Sequence, residues 1–149
     1  MTNVQAFHKI KQLRERDKKE KQKMYQEQMD AFESVATRLY EKLKQREAAE
    51  QSFHESLTHS KVKAHSFIYH RRYIDQLDSE IMQLQPQVQQ ARTQMENAQT
   101  HLSSAHIEVK KFEKLIDNKL ARHRQWLKEQ ETKQMDELST RQYLNEKNR

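Results

Sequence analysis

The sequence predicts an all-α chain: two long helices forming an antiparallel coiled-coil hairpin, the second helix the longer. Three observations predict it. Apolar residues recur in alternating strides of three and four, Gly is absent, and only 34% of the 149 residues are hydrophobic. Such a low apolar fraction belongs either to disorder or to coiled coils, which need apolar residues at only two of every seven positions. Periodicity decides between them.

The second half carries the clearest period. Ile74, Leu77, Ile81, Leu84, Val88, Ala91, Met95, Ala98, Leu102, Ala105, Val109, Phe112 and Ile116 follow the stride without a polar interruption. Chance gives such a run with odds on the order of one in a million, before allowing for choice of register. A mean stride of 3.5 puts these side chains on one helical seam and implies a left-handed supercoil. The first half is less clean. Phe32, Val35, Leu39, Leu43, Arg46, Ala49, Phe53 and Leu57 fit the stride, with Arg46 interrupting it. Phe7, Ile10, Leu13, Met24 and Gln28 are a weaker continuation. Asp17 and Lys21 fall near the seam there, so this segment is expected to pair loosely.

The chain is expected to be one hairpin over residues 1–149, with helices at about 3–57 and 67–145 and a loop at about 58–66. Apolar periodicity lapses from Thr58 to Ser66, and Ser60 or Ser66 is a candidate cap for the second helix. Thr2 and Gln5 have capping-box spacing. A short connection makes the helices antiparallel neighbours. Pairing outward, Leu57 meets the Phe67 region and Ile10 lands near Phe112. The second helix then overruns the first by roughly twenty to thirty residues. After Ile116 the next apolar set, Leu120, Leu127 and Leu138, is reached by an extra one-residue step, read as a register shift where the partner helix ends. An interior Pro costs ~3 kcal/mol. The seam continues past Pro86 at Leu84 and Val88, so a local kink with Pro86 outermost is expected.

Several function classes are excluded. Without Cys there are no disulfides and no thiolate metal sites, which fits a reducing compartment. No apolar run approaches the ~18 residues of a membrane span, and the start lacks an apolar signal core. His54 and His59, His65 and His70, and His101 and His106 are each five apart. Ligands on one helical face need spacings of three or four, so no metal site is expected. No Gly-rich phosphate loop and no nucleophile–base arrangement is present, and carboxylates such as Asp136 and Glu137 have no pocket to shift them. No enzyme and no cofactor is expected.

Contact surfaces remain. The formal charge is +6, and residues 8–23 hold eight Lys or Arg against three acids. The stretch lacks interleaved aromatics for base stacking, so no nucleic acid is expected; a solvated face or an acidic protein surface accounts for it. Phe67, Ile68, Tyr69 and Tyr73 crowd the start of the second helix. They form either a plug closing the loop end or a partner surface. Trp126 lies where no partner helix covers it.

The sequence resembles the flagellar FliJ family, soluble components of the flagellar protein-export apparatus, most of all its Gram-positive members. The resemblance rests on Phe32-Glu-Ser-Val-Ala-Thr-Arg-Leu-Tyr-Glu-Lys-Leu43, on Tyr73-Ile-Asp-Gln-Leu77 with Ile81, and on Glu108-Val-Lys-Lys-Phe-Glu-Lys-Leu115 followed by Met135-Asp-Glu-Leu-Ser139. It covers nearly the whole chain. It implies a coiled-coil stalk similar to the central stalk of rotary ATP synthases. The implied partners are a hexameric export ATPase at the joined termini, a membrane export gate near the loop, and substrate–chaperone complexes. The implied location is the cytoplasmic face of the cell membrane at the flagellar base. Carried over by position, Tyr73 and Leu77, with Ile74 and Ile81 beside them, match the gate-contact patch. Two further patch positions fall on Glu80 and Leu84, where this sequence departs in side-chain type, and Pro86 is not a family feature. Leu127, Met135, Asp136, Glu137 and Leu138 are assigned to the ATPase ring. The alternatives are a basic coiled coil on nucleic acid or an anionic membrane surface, or the equivalent stalk of a virulence-type secretion system.

Overall fold

A computed structural model describes residues 2–58 and 64–148. They form two helices, α1 (Thr2–Thr58) and α2 (Ala64–Lys147), packed against each other with no strand among the described residues. The fold is the predicted antiparallel coiled-coil hairpin, and α2 is the longer helix. Residues 59–63, within the expected loop at about 58–66, lie outside the described residues. The second helix starts before Ser66 because backbone helicity outlasts apolar periodicity: Ala64, His65 and Ser66 are exposed yet helical. Ser66 is therefore inside the first turn, not a cap ahead of it. Ser60 and the Thr2 side chain lie outside the described residues. At the end of α1, Thr58 Oγ1 donates to the carbonyls of Glu55 (2.9 Å) and His54 (3.3 Å). This is the back-bonding of a Thr hydroxyl to carbonyls three and four residues earlier, seen also, four residues back, at Thr93, Thr100, Thr132 and Thr140.

The chain divides into two compact units. Unit 1 comprises residues 1–19 and 104–149, and unit 2 comprises residues 20–103. In unit 2 the pairing is antiparallel. Arg92 lies over Phe32, Glu80 meets Lys42, Asp78 meets Arg46, and Phe67 meets Phe53, so residue numbers rise in α1 as they fall in α2. In unit 1 the rings of Phe7 and Phe112 lie 6.5 Å apart.

All thirteen predicted seam positions of α2 are buried or half-buried. Eight of the nine buried apolar residues belong to α2, and Ala49 alone belongs to α1. The reason is in the α1 sequence. Its seam runs through Lys18, Lys21, Tyr25, Gln28, Phe32, Val35, Leu39, Lys42, Arg46, Ala49 and Phe53. Its long polar residues are half-buried there, as such side chains are when the stem is covered and the charged head is not, and the heads of Lys42 and Arg46 meet Glu80 and Asp78. Three positions expected on the α1 seam are exposed instead: Leu13, Met24 and Leu43. Leu57, at the end of the helix, is exposed as well. After Leu39 the alternating stride takes three residues to Lys42, not four to Leu43, since four would follow the four-residue step from Val35; there Lys42 pairs with Glu80 across the seam.

The helix runs through Pro86 unbroken, and Pro86 is exposed on the outer face. The nearest seam residues, Leu84 and Val88, keep their places. From Glu131 to Asn148 every residue is exposed, so α2 ends as an uncovered helix within unit 1.

Candidate partner-binding surfaces

In unit 2 the candidate surface is built around a charged break in the seam. Arg46 Nε donates to Asp78 Oδ1 across the helices, and its Nη1 lies 2.8 Å from Glu50 Oε1 one turn along α1. The hydrogen bond to Asp78 raises the Arg46 pKa above its ordinary value; partial desolvation works against this and the charges of Asp78 and Glu50 add to it. The arginine that interrupts the apolar stride is therefore matched. Four residues earlier Lys42 Nζ lies 2.9 Å from Glu80 Oε2. That oxygen is buried and receives no hydrogen bond of good geometry, so the ammonium compensates it by charge alone. A groove beside these pairs is lined by His54, Arg71, Asp75 and Asp78, among others.

The four residues assigned to the gate contact divide sharply. Leu77 is 3% exposed, and Ile74 and Ile81 are also buried in the interhelical seam, with Ile74 and Leu77 packed against Ala49 and Phe53. They have no surface to offer a partner while the helices stay paired. Tyr73, 42% exposed, does. The period of 3.5 explains both facts: Ile74 lies on the seam, and Tyr73, one residue earlier, lies about 100° round the helix. Of the two departing positions, Leu84 is buried and Glu80 is held by Lys42. The aromatic cluster is split as well. Phe67 closes on Phe53, 5.3 Å between ring centroids, whereas Ile68 and Tyr69 face outward.

In unit 1, Ala105, Val109 and Ile116 are buried, and Lys119 Nζ sits 5.4 Å from the centre of the Phe7 ring. Past that point Leu127, Met135, Asp136, Glu137 and Leu138 are all exposed. Leu120, Leu127 and Leu138 fall within about 20° of one another on the helical wheel, so they form one apolar line that extends the seam. Asp136 and Glu137 point to other sides. Trp126 is exposed and stacks on His123, 6.0 Å between centroids. Unit 1 holds 17 Lys or Arg against 10 Asp or Glu, net +7, while unit 2 holds 11 against 12, net −1. The whole positive excess of the chain therefore belongs to unit 1. This partition, and the Lys42–Glu80 and Arg46–Asp78 pairs, escaped sequence reasoning. Opposite charges placed symmetrically about the loop are the signal that would have found the pairs.

Among the described residues no three of His, Cys, Asp or Glu come together to hold a metal ion. No described helix is long and apolar enough to cross a membrane.

The family model described as Flagellar FliJ protein matches residues 3–148. The chain belongs to the flagellar FliJ family. Consistent with that, it is 32% identical over 138 residues to the Flagellar FliJ protein of Bacillus subtilis (strain 168), covering 93% of each chain. No solved structure matches it. FliJ membership makes the chain a flagellar, export-related component, and FliJ is not a known enzyme family.

Proposed function

We propose that this FliJ-family chain is a coiled-coil stalk of flagellar protein export, at the cytoplasmic face of the cell membrane. It binds the ring of a hexameric export ATPase through unit 1. It meets the membrane export gate through Tyr73 in unit 2, and it engages substrate–chaperone complexes. It carries no catalytic residue of its own.

The observation that carries the reading is the end of α2. The second helix runs on past its partner, keeps an apolar line at Leu120, Leu127 and Leu138, and belongs to a unit of net charge +7. Exposed apolar surface on a charged helix gains free energy when a partner covers it. An acidic, partly apolar cavity in a protein ring satisfies both requirements. At the other surface, Tyr73 presents an amphipathic ring of the kind enriched in protein interfaces, while Ile74, Leu77 and Ile81 hold it in place from the seam.

A pull-down from native cell extract tests the reading, with the full chain as bait. Retention of a hexameric ATPase, lost when residues 128–149 are deleted, is the expected result. Retention unaffected by the deletion, or no ATPase at all, overturns the assignment of unit 1.

A further inference from the structure

We propose that the start of α2 is a docking surface for an anionic bilayer, seated at the lipid interface through Ile68, Tyr69 and Arg72. Between Ala64 and Tyr73 the sequence holds no Asp or Glu, but two Arg, two His, three aromatics and Ile68. The hairpin sorts these residues by face. Phe67 and His70 turn inward to Phe53. His65, Ile68, Tyr69 and Arg72 are related by steps of three and four, so they share the opposite side of the helix. All four are exposed, Ile68 by 52% and Tyr69 by 71%.

This combination has a specific fit. Aromatic rings with a polar tip settle at the headgroup level, and an aliphatic neighbour reaches the acyl boundary. Arginines beside them gain from the negative potential of anionic lipid. Arg71 shares its charge with Asp75 at 3.8 Å, whereas Arg72 makes no ion pair among the described residues and is available to a phosphate. The face is the outer side of one helix, which suits a planar, laterally fluid partner. The inference does not rest on the ATPase or gate contacts, because lipid alone is the probe.

The chain has no Cys, so a single introduced one takes a label at one place. An environment-sensitive fluorophore is attached to Ile68→Cys and, separately, to Gln12→Cys, an exposed position in unit 1. Each is mixed with phosphatidylcholine vesicles with and without phosphatidylglycerol. The expected result is a blue shift at position 68 with the anionic vesicles only, larger than any shift at position 12. In the unlabelled chain Arg72→Gln weakens sedimentation with anionic vesicles about fivefold, the equivalent of roughly 1 kcal/mol for one basic residue near such a surface. Tyr69→Ser lowers it further, with circular dichroism confirming that both variants keep their helices. No shift at position 68 overturns the proposal and leaves this face to a protein partner. An equal or larger shift at position 12 overturns it in favour of adsorption through the basic unit. Unchanged sedimentation of Arg72→Gln overturns it too.

Discussion

At Arg46 the helices exchange an apolar contact for a charged one. The guanidinium binds Asp78 across the seam and Glu50 along its own helix. Arg46→Ala and Asp78→Ala are each expected to destabilise the hairpin, with the double variant less destabilised than the sum of the two. A double-mutant cycle in denaturant measures this. The pKa shift adds no pH dependence in the working range. A raised basic pKa contributes stability that is present below the unfolded value and lost only as pH rises through the folded one, and for Arg both lie far above neutrality. Leu77 and Tyr73 separate packing from recognition. Leu77→Ala removes a buried side chain and is expected to cost about 2–5 kcal/mol. Tyr73→Ala removes an exposed one and is expected to stay within about 0.5 kcal/mol of the parent. If gate binding falls in Tyr73→Ala while the denaturation midpoint holds, the contact is direct. A fall in binding that tracks lost stability in both variants means it is not.

Elements differ in what holds them. In α2 an unbroken apolar stride is buried through Ile116. In α1 half-buried polar residues face that stride, and ion pairs hold them there. Leu43 shows where apolar character misleads: Val35, Leu39, Leu43, Arg46 steps by four, four and three, whereas Val35, Leu39, Lys42, Arg46 keeps the alternation of four and three. Glu80 then matches the charge of Lys42. Pro86 is tolerated because its side of the helix is exposed, so no packing is lost when it is replaced. Pro86→Ala is expected to restore a helical hydrogen bond and raise stability by up to about 3 kcal/mol, read from the denaturation midpoint. The free end of α2 is the converse case. From Glu131 onward no residue is covered, so its amides are expected to exchange quickly in the isolated protein and slow when the ATPase is added. Protection in the free protein would remove the end as a binding element.

For the molecule as a whole, charge is divided unequally. Unit 1 carries net +7 and unit 2 net −1. Attraction between exposed charges is screened within about 10 Å at 0.1 M salt. ATPase capture is therefore expected to weaken as salt rises. Reversing Arg14, Arg16 and Lys19 to Glu is expected to abolish most of it, while the same reversal at Lys23, Arg38 and Lys44 in unit 2 has little effect. Equal losses in the two sets, measured by pull-down at matched protein stability, would show that net charge, not the charge of unit 1, governs the contact.

The sequence by itself determined the fold class, the antiparallel pairing and the seam of α2, because a period of 3.5 sustained from Ile74 to Ile116 admits only one buried face. It also determined the family, through stretches spread along nearly the whole chain. It determined the free end of α2 through the loss of that period after Ile116. Of the patch Tyr73, Ile74, Leu77 and Ile81, the stride alone puts three on the seam and leaves Tyr73 off it, and the structure buries them accordingly. Tertiary structure alone decided how α1 covers that face: Leu13, Met24, Leu43 and Leu57, expected on its seam, are exposed. Its seam carries Lys, Arg, Gln and Tyr, whose place depends on the charges opposite, and those charges belong to another helix.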